Sequence, residues 1–249
     1  RVDAVSADLE LAQRLADAAD TISLPRFRTG IAVEVKADLT PVTEADRSVE
    51  AELRRLLAAE RPDDSVLGEE EGAAGSGARR WILDPIDGTR NYSRGIPIWA
   101  TLIALETDGV VQLGVVSAPA LSRRWWAERG VGAFANGEPI GVSDVGRIAD
   151  AVLSFPLENE VPAIVRRAWH ARGFGDFWPY MLVAEGCVDG AVDAVGISVW
   201  DLAAMQVVVE EAGGRFSDAA GVSRIDGGSA VASNGLIHDE LLAALSERS

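Results

Sequence analysis

The stretch that constrains this chain most is Trp81-Ile82-Leu83-Asp84-Pro85-Ile86-Asp87-Gly88-Thr89-Arg90-Asn91. The apolar run Trp81-Ile82-Leu83 reads as a strand, and Pro85, with its fixed φ and missing N–H, ends the sheet pairing. A tight acidic loop follows, carrying Asp84 and Asp87. Two carboxylates held so close repel each other. Both stay ionised comfortably only when a cation sits between their oxygens. Gly88 and Thr89 stand where a short helix can begin, and N–H groups at such a start suit an anion. A cation site beside an anion site is the layout of metal-assisted phosphate chemistry. An Asp-Pro or Asp-Gly pair alone is an ordinary turn. The full string behind an apolar strand is what carries the chemical reading.

Length and charge bound what such a loop can serve. The 249 residues suffice for one large domain or two small ones, and 48% hydrophobic with 25% charged residues is an ordinary soluble globular profile. No apolar run is long enough to span a membrane. The net charge of −16 argues against nucleic acid and against an anionic membrane as partners. It also means that an anionic substrate is not drawn in by the overall field. A local positive element has to do that, and metal ions are the natural candidate. The single cysteine, Cys187, lies in an apolar neighbourhood and reads as a small core residue. One thiol cannot staple the chain, so a reducing cytoplasm fits. The single lysine, Lys36, has no role that the sequence assigns.

Along the chain, apolar spacing predicts a helix over 8–27, a strand over 31–35 and a loop over 38–43. Thr43 caps a second helix over 44–60, with Asp46 three residues on as a variant capping box. Ser65-Val66-Leu67 is a short strand feeding Gly68-Glu69-Glu70-Glu71-Gly72. Three glutamates in a row are ordinarily a solvated patch. Here they end a strand shortly before the acidic loop, close enough to be returned beside it. Residues 73–78 read as a Gly/Ser/Ala-rich loop, and 98–135 as an antiparallel meander with sheet-packing Trp99, Trp125 and Trp126. Near residue 141 the texture changes. A strand over 151–155, helices over 161–171, 177–186 and 201–212, strands over 188–195, 215–217 and 229–232, and a closing helix over 236–245 form an α/β unit. The chain thus divides into 1–140, with the acidic loop, and 141–249, with a cleft between the two halves of one compact unit.

Asp201, at the start of a helix, reads on its own as a cap. Four separated pieces change that. They are Asp46 in Thr43-Glu44-Ala45-Asp46, the Gly68-Glu69-Glu70 string, the Asp84-to-Thr89 loop, and Trp200-Asp201 with its Ala212-Gly213-Gly214 stop. With these pieces the chain resembles the inositol-monophosphatase family of metal-dependent phosphatases, over roughly residues 8–245. The resemblance implies a mixed α/β fold, an αβαβα layered sandwich with an antiparallel sheet in the N-terminal half and a smaller α/β unit in the C-terminal half. It implies metal ligands at Glu69, Asp84, the Ile86 carbonyl, Asp87 and Asp201. Such an all-oxygen set favours Mg²⁺, two or three per site, with Mn²⁺ as a substitute. It implies direct hydrolysis of a small-molecule phosphate ester by metal-activated water. Asp46, Thr89 and Glu69 are then catalytic, and Asp87, Gly88 and Thr89 hold phosphate. A homodimer is implied too.

Within the family, three stretches look most like the bacterial histidinol-phosphate phosphatases of this fold. They are Thr89 to Pro97, Ser117 to Leu121 with Arg124-Trp125-Trp126, and Gly175-Asp176-Phe177 ahead of 182–186. Histidinol phosphate carries an ammonium and an imidazole, which an acidic pocket suits. Asp176, Asp193 and Asp201, with Arg172 nearby, are the candidate substrate contacts. The family's substrate-contacting glutamate falls on Ala194 here, and Asp193 stands one residue before it. Carboxylates also bind sugar hydroxyls, so inositol phosphate is the second reading. A non-catalytic metal- and anion-binding regulatory module is the third.

Overall fold

The computed structural model describes residues 5–30, 33–35, 41–156, 163–193 and 196–246. Ile31, Lys36, residues 38–40, Val161 and Ala194, which the sequence readings above touch, lie outside the described residues.

Helix α1 (Ala7–Arg26) starts at Ser6, whose hydroxyl accepts the Leu9 N–H at 3.0 Å, and turns Leu9, Leu11, Leu15 and Ala19 inward. A short antiparallel pair, β1 (Val33–Val35) and β2 (Pro41–Thr43), leads into α2 (Glu44–Glu60). The expected capping box at Thr43 and Asp46 is present. Then come β3 (Ser65–Gly68), β4 (Gly72–Ala74), β5 (Arg79–Asp87) and the short helix α3 (Thr89–Ser93). The meander follows as β6 (Ala100–Thr107), β7 (Val110–Ala118), β8 (Arg123–Glu128), β9 (Gly132–Ala135) and β10 (Glu138–Pro139). These eight strands form one sheet in the order β10-β9-β8-β7-β6-β5-β3-β4. It is antiparallel except where β3 runs parallel to β5.

The second half contributes β11 (Val152–Ser154), β12 (His170–Arg172), α4 (Trp178–Ala184), β13 (Gly190–Asp193), α5 (Val199–Glu211), β14 (Arg215–Ser217), β15 (Ala230–Ser233) and α6 (His238–Ser246). Its five strands form a mixed sheet ordered β12-β11-β13-β15-β14. Alternation along β5 sets the layers, because successive side chains leave opposite faces. Trp81 and Leu83 pack on α1 and α2 with Leu53 and Leu57, whereas Ile82 faces α4 and α5. Helix α5 is apolar all round, as a helix pressed between two sheets must be, and Leu202 through Val209 are buried. Gly114 on β7 admits it: a Cβ there would lie 2.7 Å from the Ala204 carbonyl oxygen. Beyond the small sheet, Leu241 of α6 packs with Val192, Val231 and Ile148. The result is the αβαβα sandwich that the resemblance implies.

Several local expectations are corrected. The described part of the loop expected over 38–43 is strand β2, and the loop expected over 73–78 begins inside strand β4. The helix expected over 161–171 is a 3-10 turn (Ala163–Arg167) followed by β12, whose His170 N–H donates to the Ala151 carbonyl. Pairing with β11 overrides a local pattern that Val165, Trp169 and His170, weak helix formers, supported only loosely. Cys187 is exposed rather than in the core, because it sits in the turn after α4. Pro85 interrupts the ladder without ending the strand. Pairing with β6 lapses between Asp84 and Asp87 as a bulge, then resumes at Ala100. No described helix is long and apolar enough to cross a membrane.

Candidate active site

Strand order brings the acidic segments together. Gly68 pairs with Leu83 in the parallel β3–β5 ladder, so Glu69 emerges level with Asp84, and the Glu69 N–H donates to the Leu83 carbonyl at 3.2 Å. The bulge in β5 re-aims the chain so that both Asp84 and Asp87 reach the α5 side. The Thr101 hydroxyl donates to the Pro85 carbonyl at 2.8 Å and fixes the bulge, while the Ile86 side chain is buried against Ala45, Tyr92 and Trp99. Gly88 then turns the chain into α3 at φ +83°, and a Cβ there would stand 3.0 Å from the Ile98 carbonyl oxygen. Helix α5 delivers Asp201 from its first turn, where it accepts the Ser198 N–H at 2.7 Å. One carboxylate oxygen from each of Asp84, Asp87 and Asp201 lies within 4.8 Å of the others.

Without a counterion this arrangement is electrostatically uncomfortable. Burial pushes the Asp84 carboxyl well above the usual range, and the charges of Glu69, Asp87, Asp201 and Asp46 push it further. Burial does the same to Asp87, assisted by Asp176 and Asp201, although the Phe177 N–H donates to one of its oxygens. Asp201 is raised too, first by burial. Asp84 Oδ1 is buried and, together with Trp99 Nε1, has no hydrogen-bond partner among the described residues. A divalent cation relieves the repulsion and satisfies that oxygen, and the oxygen-only donor set suits a hard ion. These residues therefore fit the metal that the resemblance implies.

Next to the cluster stands a hydroxyl–carboxylate pair. Thr89 Oγ1 lies 3.1 Å from Asp46 Oδ1 and 3.0 Å from the Ile86 carbonyl oxygen. The other oxygen of Asp46, Oδ2, accepts both the N–H and the hydroxyl of Thr43. Burial raises the Asp46 carboxyl despite these hydrogen bonds.

A cavity of about 560 Å³ opens beside the cluster, lined by Asp87 and Asp201 at one end and by Asp176 and Asp193 among others. The Tyr180 hydroxyl donates to Asp193 at 2.7 Å, and Asn91 donates to Asp176 at 2.8 Å. Asp176 adopts φ +56°, a left-handed conformation that aspartate tolerates better than most residues. Of the sequence-expected contacts, Arg172 is exposed at the end of β12 and outside the cavity lining, whereas Gly173, Phe174 and Gly175 line it. Arg90, Trp178 and Tyr180, to which the sequence assigns no site role, also line it. Arg90 directly follows Thr89 and was visible in the motif. Nothing local marked Tyr180, which reads as a buried helix aromatic.

The family model described as the inositol monophosphatase family matches residues 5–249. The histidinol-phosphatase of Mycobacterium tuberculosis is 50% identical, covering 96% of this chain and 97% of its own. The histidinol-phosphatase of Streptomyces coelicolor is 47% identical, covering 97% of each chain. The crystal structure of the extragenic suppressor protein suhB from Bartonella henselae superposes with a TM-score of 0.90 at 30% identity, covering 98% of this chain and 100% of that one.

Proposed function

The chain belongs to the inositol monophosphatase family, and from that premise we propose that it hydrolyses histidinol phosphate to histidinol and inorganic phosphate with the help of Mg²⁺. The observation that carries the substrate is the acid-lined cavity: Asp176 and Asp193 line the space that opens from the carboxylate cluster. A leaving group with an ammonium and an imidazole is stabilised there by charge, and Trp178 and Phe174 add apolar faces for a ring. The identity with the two histidinol-phosphatases supports the same reading.

Glu69, Asp84, Asp87, Asp201 and the Ile86 carbonyl would hold the cations, two or three in number, with Mn²⁺ as a substitute. Bound there, they supply neutralising charge and Lewis-acid polarisation of phosphate and water. The chain's own groups do the rest. The Gly88 and Thr89 N–H groups and the Asp87 segment orient the phosphate at the start of α3. Thr89 and Asp46 move the proton. Thr89 Oγ1 has two acceptors within reach, Asp46 Oδ1 and the Ile86 carbonyl, and one proton to give. If the Ile86 carbonyl serves as a metal ligand, Asp46 Oδ1 is the acceptor left for that proton. The Thr89 oxygen then accepts a proton from the attacking water while its own passes to Asp46 Oδ1. The water oxygen bonds to phosphorus, the ester P–O bond breaks, the leaving alkoxide takes a proton from solvent in the cavity, and Asp46 returns its proton to solvent, which restores the carboxylate. No covalent intermediate with the chain forms.

The same reading places the reaction in histidine biosynthesis, in the cytoplasm, in a homodimer. Comparing kcat/KM for histidinol phosphate and inositol 1-phosphate with Mg²⁺ present tests it. At least a tenfold preference for histidinol phosphate is expected, and equal or inverted preference overturns the substrate. Absence of phosphate release from any small ester favours the regulatory module instead.

A further inference from the structure

Glu50 is fully buried on α2, a costly place for a carboxylate unless every oxygen is satisfied. Both of its backbone donors are at the strand end that carries Glu69. Oε2 accepts the Glu70 N–H at 2.7 Å and Oε1 accepts the Glu71 N–H at 3.0 Å. Arg54, one turn further along α2, pairs with Oε1 at 2.8 Å through Nε, and its Nη2 donates to the Gly72 carbonyl. One helix turn therefore grips the β3–β4 connection at both ends. The fit leaves no slack: a Cβ on Gly68 would lie 2.2 Å from Glu50 Oε1. Asp46 stands four residues before Glu50, on the same face of α2. That face holds Thr89 through Asp46 and the Glu69 turn through Glu50.

We propose that Glu50 is the positioning residue for Glu69: it fixes the turn from which Glu69 reaches the metal site, and it ties that ligand to the helix that carries Asp46. The inference rests on the metal-binding reading of Glu69. Partners that orient a ligand typically tune metal affinity by about 10–100-fold. The test is Mg²⁺ binding to the full chain by isothermal titration calorimetry, without substrate. Glu50→Ala is expected to raise the Mg²⁺ dissociation constant by about tenfold or more. In assays the Mg²⁺ concentration giving half-maximal rate rises, while excess Mg²⁺ restores most of kcat. Glu50→Gln, which keeps one acceptor oxygen, is expected to weaken binding less.

Gly68→Ala supplies the second arm. It forces the Glu50 carboxylate off its donors and weakens Mg²⁺ binding as Glu50→Ala does, yet adds little to Glu50→Ala, because the clash partner is then gone. Wild-type affinity in a folded Glu50→Ala variant, or full additivity in the double variant, overturns the proposal. Should Glu50→Ala not fold, wild-type affinity in both Glu50→Gln and Gly68→Ala overturns it. Asp84→Asn separates the two layers. If it loses Mg²⁺ while the Glu50 variants keep it, only the positioning role fails. If it also binds like wild type, the metal reading itself fails.

Discussion

The hydroxyl of Thr89 lies 3.1 Å from Asp46 Oδ1, although 43 residues separate them in the chain. Two helix starts meet at that point. Asp46 is in the first turn of α2 and Thr89 opens α3. Because Asp46 Oδ2 already takes two bonds from Thr43, only Oδ1 can receive a proton from Thr89. Thr89→Ala is therefore expected to lower kcat by about 10²–10⁴-fold, the usual worth of a positioned proton acceptor, with KM changed only a few-fold. Thr89→Ser keeps the hydroxyl and recovers most of the rate. Steady-state kinetics on the two variants checks this, and a Thr89→Ala enzyme turning over within tenfold of wild type contradicts the relay.

Asp84 separates activity from stability. Its carboxyl is buried among Glu69, Asp87 and Asp201, and each of those charges opposes its own. Replacement by asparagine removes one buried charge at nearly constant volume. Activity is expected to vanish, and retention of more than a tenth of it counts against the assigned role. In EDTA, the Asp84→Asn protein is expected to melt at or above the wild-type temperature. Saturating Mg²⁺ then raises the wild-type melting temperature, by the equivalent of about 3 kcal/mol at a hundred times Kd. The variant barely responds. Thermal melts with and without Mg²⁺ read both arms.

Much of this site was legible in the sequence because its parts are short and local. Asp84 to Thr89 is a single string, and Thr43 with Asp46 is a capping box whose geometry follows from spacing three. The β5 bulge was half legible: Pro85 announced lost pairing, but only the register against β6 shows the strand resuming. Glu50 was invisible. Within an amphipathic helix it reads as one more solvated charge, and its meaning comes from amides 20 and 21 residues away. The expected helix over 161–171 fails because the apolar spacing of Ile164, Val165 and Ala168 also suits a 3-10 turn packed against α6, and the neighbouring strand decides between them.

The cavity's acidic residues make a prediction about discrimination. Asp193 is oriented by the Tyr180 hydroxyl, which burial and the Asp193 charge keep protonated well beyond the usual tyrosine range. Asp193→Asn and Asp176→Asn are expected to raise KM for histidinol phosphate by about tenfold, the worth of roughly one charge-assisted hydrogen bond. Hydrolysis of an uncharged-alcohol ester such as glycerol 2-phosphate changes little. Tyr180→Phe reproduces part of the Asp193 effect by freeing the carboxylate. A uniform loss on both substrates points instead to damage at the carboxylate cluster.

His238 gives a pH dependence of stability that is independent of the metal. Its ring is fully buried between Ser217 and Ser233, with Nε2 and Nδ1 each 2.9 Å from a hydroxyl. Ser217 donates its own proton to the Asp218 carbonyl at 2.8 Å, so the ring Nε2–H donates to Ser217, and Nδ1 accepts from Ser233. The neutral ring is thus satisfied at both nitrogens. Burial, and then the Arg215 charge, push its pKa down to about 4, partly offset by Asp239. Above the ordinary histidine value both folded and unfolded chains carry a neutral ring, and this stabilisation is complete. As pH falls from about 6.5 toward about 4 the unfolded chain takes up a proton that the folded chain refuses, so stability drops by about 1.4 kcal/mol per pH unit. The full loss is on the order of 3 kcal/mol, reached near the folded pKa. His238→Gln lacks this contribution. In EDTA, urea titrations are expected to show wild type clearly more stable than the variant near neutrality, with the gap narrowing steadily in acid. A gap that stays constant across that window would mean the ring accepts its proton inside the fold.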